Sequence, residues 1–448
     1  MGKYFGTDGV RGNGDTYITD ALSYRIGRFI GHSKTGKQVK VLIGRDTRLS
    51  GQRISDALIK GLIKSGASAY DLGVTTTPSV SYLVETNDFD YGIMISASHN
   101  PYTDNGIKVF APSGEKLDHE TELLIEEYID RKEDDLPVNQ GDLEHNYFES
   151  HAMLMNYLEY VKSKACLNGK TYKILLDCAH GSACVAAKTL FGDLLHQDIT
   201  LINDTYTGKD INLNCGSTHL EMIQEEIKKG NYDVGFAFDG DADRLMSITP
   251  NGDIIDGDFL MCLSAFDMKA RGTLNNDKIV ITSMSNLGLK KALKANGLSY
   301  EEVDVGDKYV QARLKEKNLS LGGEQSGHVI YYQDLNTGCG LLSAVHALNI
   351  LTTNEGKNLD ELRKLMRQYP QLIINVHVND KDAVINNELV KNATAKVAEI
   401  LGDDGRILVR KSGTEQLIRV MVEAKDNETC KLYCEQVVEV VNQVNNAN

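Results

Sequence analysis

The sequence predicts an α/β protein with three tandem related α/β domains of mixed, largely parallel sheets, followed by a small C-terminal α+β domain. Three segments carry this prediction, because each begins with lysine, continues as a short apolar strand and ends in a polar turn. They span residues 40–48, 173–181 and 278–286. Helical patterns follow them, and strands that alternate with helices indicate parallel sheets. The recurrence of one pattern indicates related domains in tandem.

Polar stretches near residues 133–142, 249–253 and 367–370 predict the domain boundaries. They divide the chain into domains at 1–150, 151–250, 251–367 and 368–448. The last domain is predicted as an α+β unit with an antiparallel sheet. Its predicted strands span 372–378, 406–409 and 418–424, and its predicted helices span 386–401 and 428–444.

The bulk composition limits the classes of protein to which this chain can belong. Its 448 residues are too many for one hydrophobic core, and 41% hydrophobic with 25% charged residues is typical of a soluble globular protein. A net charge of −15 argues against nucleic acid and anionic membranes as partners. Eight scattered cysteines without zinc-site spacing, and an N-terminus without an apolar signal region, predict a cytoplasmic protein with reduced thiols.

The first chemically suggestive loop follows an apolar strand at residues 91–97. It presents the hydroxyl of Ser98, the imidazole of His99 and the amide of Asn100, with Lys108 ten residues after the serine. A serine at the end of a buried strand, beside cationic and hydrogen-bonding groups, can carry a reactive phosphoryl group. The alternative is a polar loop whose side chains only cap a helix.

An acidic loop follows the apolar strand at residues 234–238 and contains Asp239, Asp241 and Asp243. Three carboxylates this close together suit Mg²⁺ and would repel one another without a cation. An EF-hand does not fit, because Arg244 replaces its glycine and Pro250 replaces its bidentate glutamate. A solvated acidic loop is the alternative.

A glycine-rich loop at residues 322–328 contains Glu324, Ser326 and His328. Glycines let the backbone approach a ligand, and these side chains supply acceptors and donors that suit sugar hydroxyls. Taken alone, the pattern is better explained as a surface turn.

A cationic loop between the last two predicted strands contains Arg410, Ser412, Gly413, Thr414 and Arg419. Guanidinium groups and backbone N–H groups can together hold a phosphate, and a charged surface hairpin is the alternative. A nucleotide-driven kinase is disfavoured, because the chain contains no Walker A pattern.

The chain resembles the α-D-phosphohexomutase superfamily over essentially its whole length. The resemblance rests on the order of four loops: a phosphorylatable serine at 98, three aspartates at 239–243 (the metal cage), a sugar-binding loop at 322–328 and a phosphate-binding loop at 410–419 (the phosphate cradle). The opening segment at residues 6–12 resembles the members that act on glucosamine phosphates. So do three further segments, at residues 212–219, 239–244 and 323–328.

The resemblance implies four domains around a central cleft, a phosphoserine at Ser98 and Mg²⁺ as the cofactor. The metal ligands that it implies are Ser98, Asp239, Asp241 and Asp243. It assigns the sugar to Glu324 and Ser326, and the non-reacting phosphate to Arg410, Ser412, Gly413, Thr414 and Arg419. Matching positions also imply four active-site groups, which are Arg11, Lys108, Arg244 and His328.

The implied reaction interconverts glucosamine 6-phosphate and glucosamine 1-phosphate through a 1,6-bisphosphate that reorients between two phosphoryl transfers. It would supply amino-sugar nucleotide and cell-wall precursor synthesis. A general base must take the proton of the attacking hydroxyl, and Lys108 and His328 are both candidates. No residue is identified as a partner for the 2-amino group, so phosphoglucomutase or phosphomannomutase activity is the alternative.

Two other classes fit less well. A Mg²⁺-dependent phosphatase with an aspartyl nucleophile would have Thr or Val where this chain has Asp243. A non-catalytic sugar-phosphate sensor would not need both Ser98 and a metal cage. The expected partner is therefore a small hexosamine phosphate, and neither nucleic acid nor a membrane is expected to bind. A homodimer is a possible oligomeric state.

Two positions depart from the superfamily pattern. Gln416 stands where the cradle commonly ends in proline, which predicts a less stiff loop and a lower affinity. Cys339 stands where aspartate is usual, which predicts the loss of a helix N-cap or a loop hydrogen bond.

Overall fold

A computed structural model describes residues 2–34, 36–139, 146–412 and 416–447. The chain divides into two compact units, and each has its own sheets and core. The first comprises Met1–Met284 and Ser299–Leu365, and the second comprises Ser285–Leu298 and Met366–Asn448. In the part of the chain that is described, no helix is long and apolar enough to cross a membrane.

The N-terminal part of the first unit contains a mixed sheet and four helices. The strands are β1 (Phe5–Gly6), β2 (Gly9–Asn13), β3 (Lys40–Arg45), β4 (Ser68–Val74), β5 (Tyr91–Ile95), β6 (Asp104–Phe110) and β7 (Tyr147–Glu149). The helices are α1 (Asp20–Gly31), α2 (Gly51–Lys64), α3 (Thr77–Thr86) and α4 (His119–Asp130).

The strand order of this sheet is β1-β2-β6-β5-β3-β4-β7. The four strands β5, β3, β4 and β7 run parallel, whereas β6 joins β5 to β2 by antiparallel pairing. Ile43 and Ile93 on the central strands pack with Ile26 of α1 and Leu58 of α2, and all four are fully buried. The carboxyl ends of β3 and β5 therefore lie side by side, which is where polar turns meet in such sheets.

The middle part of the first unit is built around a second mixed sheet. Its strands are β8 (Lys173–Asp177), β9 (Asp198–Ile202), β10 (Val234–Phe238), β11 (Leu245–Ile248) and β12 (Ile254–Ile255). Its helices are α5 (Met153–Ser163), α6 (Ala183–Ala187), which continues as a π-helix over Lys188–Leu194, and α7 (Glu221–Lys229). The order is β12-β11-β10-β8-β9, and β10 is buried along its whole length up to the acidic loop.

A third sheet completes the first unit. Its elements are α8 (Gly257–Ala270), β13 (Lys278–Thr282), β14 (Ser299–Val303), α10 (Asp307–Lys317), β15 (Leu321–Gly323), β16 (Val329–Tyr331), α11 (Gly340–Thr353) and α12 (Leu359–Leu362). The order is β14-β13-β15-β16, with β16 antiparallel to β15. The chain between β13 and β14 forms α9 (Leu287–Ala295), which belongs to the second unit.

The second unit packs helices on a small antiparallel sheet of order β17-β19-β18. Its elements are β17 (Gln371–His377), α13 (Lys381–Asn386), α14 (Glu388–Leu401), β18 (Arg406–Lys411), β19 (Leu417–Glu423) and α15 (Asn427–Ala447). Val397, Val420 and Cys434 belong to its buried core. The α9 segment joins this unit through a bond of 3.0 Å from the Leu287 N–H to Glu423 Oε2.

The predicted fold class is confirmed: three sheet-and-helix domains precede a small C-terminal domain with three antiparallel strands. The strands predicted after Lys40, Lys173 and Lys278 are all present. The helix predicted over 386–401 is present as α14 and begins two residues later, at Glu388. Asn387 caps it by accepting from the Leu389 N–H, and the extended backbone of Asn387 separates it from α13.

Candidate active site

Ser98 lies in the turn after β5, and its contacts hold it tightly. The residue is 1% exposed, and its φ of 50° is in the left-handed region. This backbone conformation is uncommon for a residue other than glycine and persists where contacts enforce it. Ser98 Oγ donates to Asp239 Oδ2 at 2.6 Å and lies 3.3 Å from His99 Nδ1. The hydroxyl therefore faces the acidic loop and does not cap a helix.

A buried arginine fixes this turn, although the sequence analysis gave it no role. Arg48 Nη2 donates to the carbonyl oxygens of Ser98 and Asn100 at 2.8 Å each. Asp46 Oδ2 accepts from Arg48 Nε at 2.9 Å, and neither side chain is exposed. Asn212 Nδ2 donates to the same Ser98 carbonyl at 2.9 Å. The backbone of Ser98 is thus held from two sides.

We expect Arg48→Met to destabilise the first unit strongly, because it leaves the Asp46 carboxylate buried without its cation. Breaking a buried ion pair from one side costs about 3–5 kcal/mol. Chemical denaturation of the two proteins should show the loss in the free energy of unfolding. Arg131→Met, which removes two exposed ion pairs and a cation–π contact with the Tyr128 ring, is the control and should lower the free energy of unfolding by at most about 1 kcal/mol. Equal transitions for Arg48→Met and the wild type would contradict this account of the turn.

The three aspartates of the acidic loop lie together, as the sequence predicted. A carboxylate oxygen from each of Asp239, Asp241 and Asp243 lies within 4.8 Å of the others, and all three residues are buried. Strand β10 delivers Asp239 at its end. Gly240 permits the close approach to the serine turn, because an added Cβ would lie 2.5 Å from the Ser98 carbonyl oxygen.

The donor set of this loop fits a divalent cation. The Oδ1 atoms of Asp241 and Asp243 are buried and have no hydrogen-bond partner among the described residues. Burial and the two neighbouring aspartates raise the pKa of Asp239 well above its usual value, and a bound cation would relieve that repulsion. Hard oxygen donors of this kind match Mg²⁺ better than they match softer metals.

Lys108 supplies a protein cation beside the three aspartates. Its Nζ lies 2.8 Å from Asp241 Oδ2, 3.4 Å from Asp243 Oδ2 and 3.1 Å from Asp8 Oδ2. Burial alone would raise the pKa of Asp241, but the Lys108 ammonium outweighs burial and holds that pKa below its usual value. Thr77 Oγ1 donates to the same Asp241 oxygen at 2.6 Å. A fixed ammonium therefore stands beside the metal cage.

Two arginines predicted as active-site groups lie at the same place. Arg11 pairs with Asp8, and Arg244 Nε lies 3.9 Å from Asp243 Oδ1. Burial first, and then these two guanidinium groups, lower the pKa of His99 to about 3. The imidazole is therefore neutral at neutral pH. The surroundings of Ser98 combine fixed cations with a metal cage, which suits a phosphoryl group.

The glycine-rich loop between β15 and β16 packs closely against the acidic loop. An added Cβ at Gly327, whose φ is +93°, would lie 2.4 Å from the Leu245 carbonyl oxygen. His328 is 3% exposed, and its Nδ1 is buried without a partner in the described chain. The backbone of the loop that carries Glu324, Ser326 and His328 therefore lies against the strand that follows the acidic loop.

Cys339 corrects the expectation that a helix cap is lost. It occupies the N-cap of α11, where its Sγ accepts from the Leu342 N–H at 3.2 Å and lies 2.9 Å from the Tyr157 hydroxyl. The next residue, Gly340, donates its N–H to the Ala242 carbonyl at 2.9 Å. The helix therefore keeps a capped start against the acidic loop, through sulfur, which is a weaker acceptor than oxygen.

The predicted phosphate cradle lies in the second unit, where β18 pairs with β19. Arg410 and Arg419 are directly opposite one another in this antiparallel pair. Burial, followed by the charge of Arg419, lowers the pKa of Arg410. Two guanidinium groups that repel each other in this way favour an anion between them. Ser412 follows β18 and is 3% exposed.

The tip of the cradle is only partly described, because Gly413 and Thr414 lie outside the described residues. Gln416 marks its far end. Its Nε2 donates to the Asn379 carbonyl at 2.9 Å, and its own carbonyl accepts from the Val378 N–H at 3.2 Å. Hydrogen bonds to the segment after β17 therefore restrain the loop where a proline ring would otherwise stiffen it.

Within the first unit, side chains from all three sheets converge on one site. Contacts there join seven of the predicted groups, directly or through Asp8, namely Ser98, Lys108, Arg11, Asp239, Asp241, Asp243 and Arg244. Glu324 lies close enough to Arg244 for their charges to interact, and His328 approaches Asp307, whose partner Lys116 also pairs with Asp8. Ser326 belongs to the same loop as Glu324 and His328. Four groups that hold them were not predicted from the sequence, namely Asp8, Asp46, Arg48 and Thr77. The polar turn at residues 45–48 after β3 was the one available signal for two of these.

Family models of phosphoglucomutase/phosphomannomutase match nearly the whole chain. The alpha/beta/alpha domains I, II and III match residues 2–135, 155–252 and 256–369. The C-terminal domain matches residues 373–440.

Curated relatives and solved structures agree with these matches. The chain is 46% identical over 447 residues to proteins named phosphoglucosamine mutase from Bacillus cereus (strain AH187) and Bacillus anthracis (strain A0248), with 98% of both chains covered. A phosphoglucomutase/phosphomannomutase family protein from Burkholderia thailandensis has the same fold, with a TM-score of 0.82, 22% identity and coverage of 99% and 98%. An Aspergillus fumigatus N-acetylphosphoglucosamine mutase, in complex with GlcNAc-6P and magnesium, superposes with a TM-score of 0.71, 16% identity and coverage of 99% and 96%.

Proposed function

Because the chain belongs to the phosphoglucomutase/phosphomannomutase family, within the α-D-phosphohexomutase superfamily, we propose that it interconverts glucosamine 6-phosphate and glucosamine 1-phosphate. The observation that carries this proposal is the direct hydrogen bond from Ser98 Oγ to Asp239 of the carboxylate cage. It joins a nucleophile to a metal site, as phosphoryl transfer requires.

Ser98 is the residue that exchanges the phosphoryl group. In the first half-reaction, the bond from phosphorus to Ser98 Oγ breaks and a bond forms to the free hydroxyl of the sugar phosphate. The resulting 1,6-bisphosphate reorients and returns its other phosphoryl group to Ser98. The turn that Arg48 holds by two carbonyl oxygens keeps Ser98 Oγ in one position for both transfers.

Fixed positive charges surround the transferring group. Lys108 contacts Asp241 and Asp243, and Arg11 and Arg244 lie beside the same carboxylates. Charges that are already in place stabilise the developing negative charge without reorganisation. Asp239, Asp241 and Asp243, with the phosphoserine, would hold Mg²⁺, which when bound neutralises charge on the phosphoryl oxygens.

The two candidates for general base have different surroundings. Lys108 Nζ already contacts three carboxylates, including Asp8, which is an arrangement that suits a permanent cation. His328 is buried, and its Nδ1 has no partner among the described residues. We therefore assign proton transfer with the sugar hydroxyl to His328 and a purely electrostatic role to Lys108.

The cradle in the second unit binds the phosphate that is not reacting. Its support is the opposed pair Arg410 and Arg419, whose mutual repulsion a phosphate dianion would relieve. One fixed serine has to serve both ends of the sugar. The cradle must therefore accept a phosphate from either end.

Arg419→Ala should weaken substrate binding more than chemistry. Loss of one charge-assisted contact typically costs about 1.5–3 kcal/mol, or roughly ten- to a hundredfold in kcat/KM. Steady-state kinetics should show a raised KM, and phosphorus NMR should show more released bisphosphate, because the reorienting sugar has lost an anchor. Ser98 should stay phosphorylated.

Lys411→Ala is the matched control for this variant. It removes a neighbouring cation whose partner is Asp382 and whose side chain is 45% exposed. Kinetics close to the wild type are expected for it. Unchanged mutase kinetics in Arg419→Ala would remove the cradle from the proposal.

The cellular setting follows from the same chemistry. All eight cysteines are free thiols, which supports the predicted cytoplasmic location. The expected partner is a small hexosamine phosphate, and a homodimer stays an open prediction.

The direct test of function compares kcat/KM for glucosamine, glucose and mannose 6-phosphates. We expect the amino sugar to be preferred, and a preference for either neutral sugar would favour phosphoglucomutase or phosphomannomutase activity.

A further inference from the structure

Asp307 lies beside the glycine-rich loop and has no role in the mechanism described above. It begins α10, and the preceding residue, Gly306, donates its N–H to Glu324 Oε1 at 3.1 Å. Asp307 Oδ2 lies 3.8 Å from His328 Nε2. The Asp307 side chain is 17% exposed, so a ligand in the site can reach its carboxylate.

The charge of Asp307 is only partly compensated by the protein. It forms an ion pair with Lys116, but the same ammonium lies 2.5 Å from Asp8 Oδ1 and is shared between the two carboxylates. Burial and the charge of Asp8 raise the pKa of Asp307, but Lys116 and His328 together outweigh them and hold that pKa below its usual value. Asp307 is therefore ionised at neutral pH.

Glu324 is a second carboxylate at the same place, and only one of its two oxygens has a protein partner among the described residues. Its Oε1 accepts from the Gly306 N–H, and Oε2 has no hydrogen bond and no ion pair among the described residues. Burial and the nearby charge of Asp307 both raise the pKa of Glu324. Two carboxylates that repel each other next to a sugar loop favour a cationic group between them.

The proposed substrate carries one cationic group, the ammonium on C2, where glucose phosphates carry a neutral hydroxyl. At the Ser98 end of the site, the carboxylates already have cationic partners from the protein, because Lys108, Arg11 and Arg244 lie against them. Beside the sugar loop, the described residues offer the carboxylates of Asp307 and Glu324, which Lys116 and Arg244 compensate only in part. Charge-assisted hydrogen bonds are also about twice as strong as neutral ones.

We propose that Asp307, together with Glu324, binds the 2-ammonium group of the hexosamine phosphate and thereby sets the preference for amino sugars over neutral hexose phosphates. This inference rests on the proposed function. Because the sugar reorients during turnover, the contact forms in one of the two orientations. Lys116 keeps the Asp307 carboxylate charged and in place.

The test removes the negative charge of Asp307 and keeps the shape of its side chain. Asp307→Asn should lower kcat/KM for glucosamine 6-phosphate by roughly ten- to a hundredfold. For glucose 6-phosphate, measured in parallel by phosphorus NMR, the same variant should change kcat/KM by less than about threefold. Asp307→Ser, a second neutral variant, should show the same loss of discrimination. Asp304→Asn is the control, because Asp304 is an exposed carboxylate on the same loop.

The outcomes separate this inference from the proposed function. Equal losses for both sugars in the two neutral variants would mean that Asp307 only supports Lys116 and His328, which would overturn the inference. An unchanged ratio of the two kcat/KM values would overturn it as well. A wild-type protein that prefers glucose 6-phosphate would instead overturn the proposed function, whatever the variants do.

Discussion

Ser98→Ala is expected to abolish mutase activity while leaving the substrate bound. The hydroxyl of Ser98 carries the phosphoryl group in the proposed mechanism, and alanine removes it while keeping the backbone contacts of residue 98 to Arg48 and Asn212. Loss of a catalytic nucleophile costs about 10⁴-fold or more in kcat. Steady-state assays should therefore show background rates, and isothermal titration should still show binding of glucosamine 6-phosphate.

Ser113→Ala is the matched control for this variant. Ser113 is an exposed serine in the segment that follows β6, and its hydroxyl contacts only Glu115 within the described chain. We expect wild-type turnover from it. Retained activity in Ser98→Ala would show that another residue carries the phosphoryl group, and the mechanism would be wrong.

Asp241→Asn is expected to have the second largest effect. The amide keeps the shape of the side chain but removes one negative charge from the metal cage and from the contact with Lys108. Turnover should fall by about 10²- to 10³-fold or more, because the metal loses a charged ligand and Lys108 loses one of its carboxylate partners. Raising the Mg²⁺ concentration should restore part of the rate, because the weakened site is then more fully occupied.

Asp253→Asn separates this effect from a general loss of negative charge. Asp253 is an exposed residue near β12, outside the cage, and its replacement should leave both turnover and the Mg²⁺ dependence unchanged. Full wild-type activity after exhaustive chelation of divalent metals would contradict the assignment of the acidic loop.

The acidic loop and the Ser98 turn could be predicted from the sequence, because the residues that form each of them are close together in the chain. Strand β10 runs directly into Asp239, and the two following aspartates fall within four residues of it. The same holds for Ser98 at the end of β5. An apolar run followed by a polar turn is a local signal, and the carboxyl ends of such strands collect ligand-binding side chains.

The supporting contacts could not be predicted, because their partners are far apart in the chain. Thr77 and Asp241 are separated by 164 positions, and Lys116 and Asp307 by 191. No periodicity or motif connects such pairs. Cys339 stands where the sequence predicted the loss of a helix N-cap or of a loop hydrogen bond, and the first of these is not lost, because its sulfur accepts from the Leu342 N–H.

The central claim is that Ser98 carries the phosphoryl group that moves between the two ends of the sugar. The most direct measurement follows phosphate on the peptide that contains Ser98, by mass spectrometry, during a single turnover with glucosamine 6-phosphate. The account predicts stoichiometric phosphate on Ser98 at the start, its loss as 1,6-bisphosphate appears, and its return as glucosamine 1-phosphate forms. Product formation without any change of phosphate on Ser98, or release of inorganic phosphate as the main product, would contradict it.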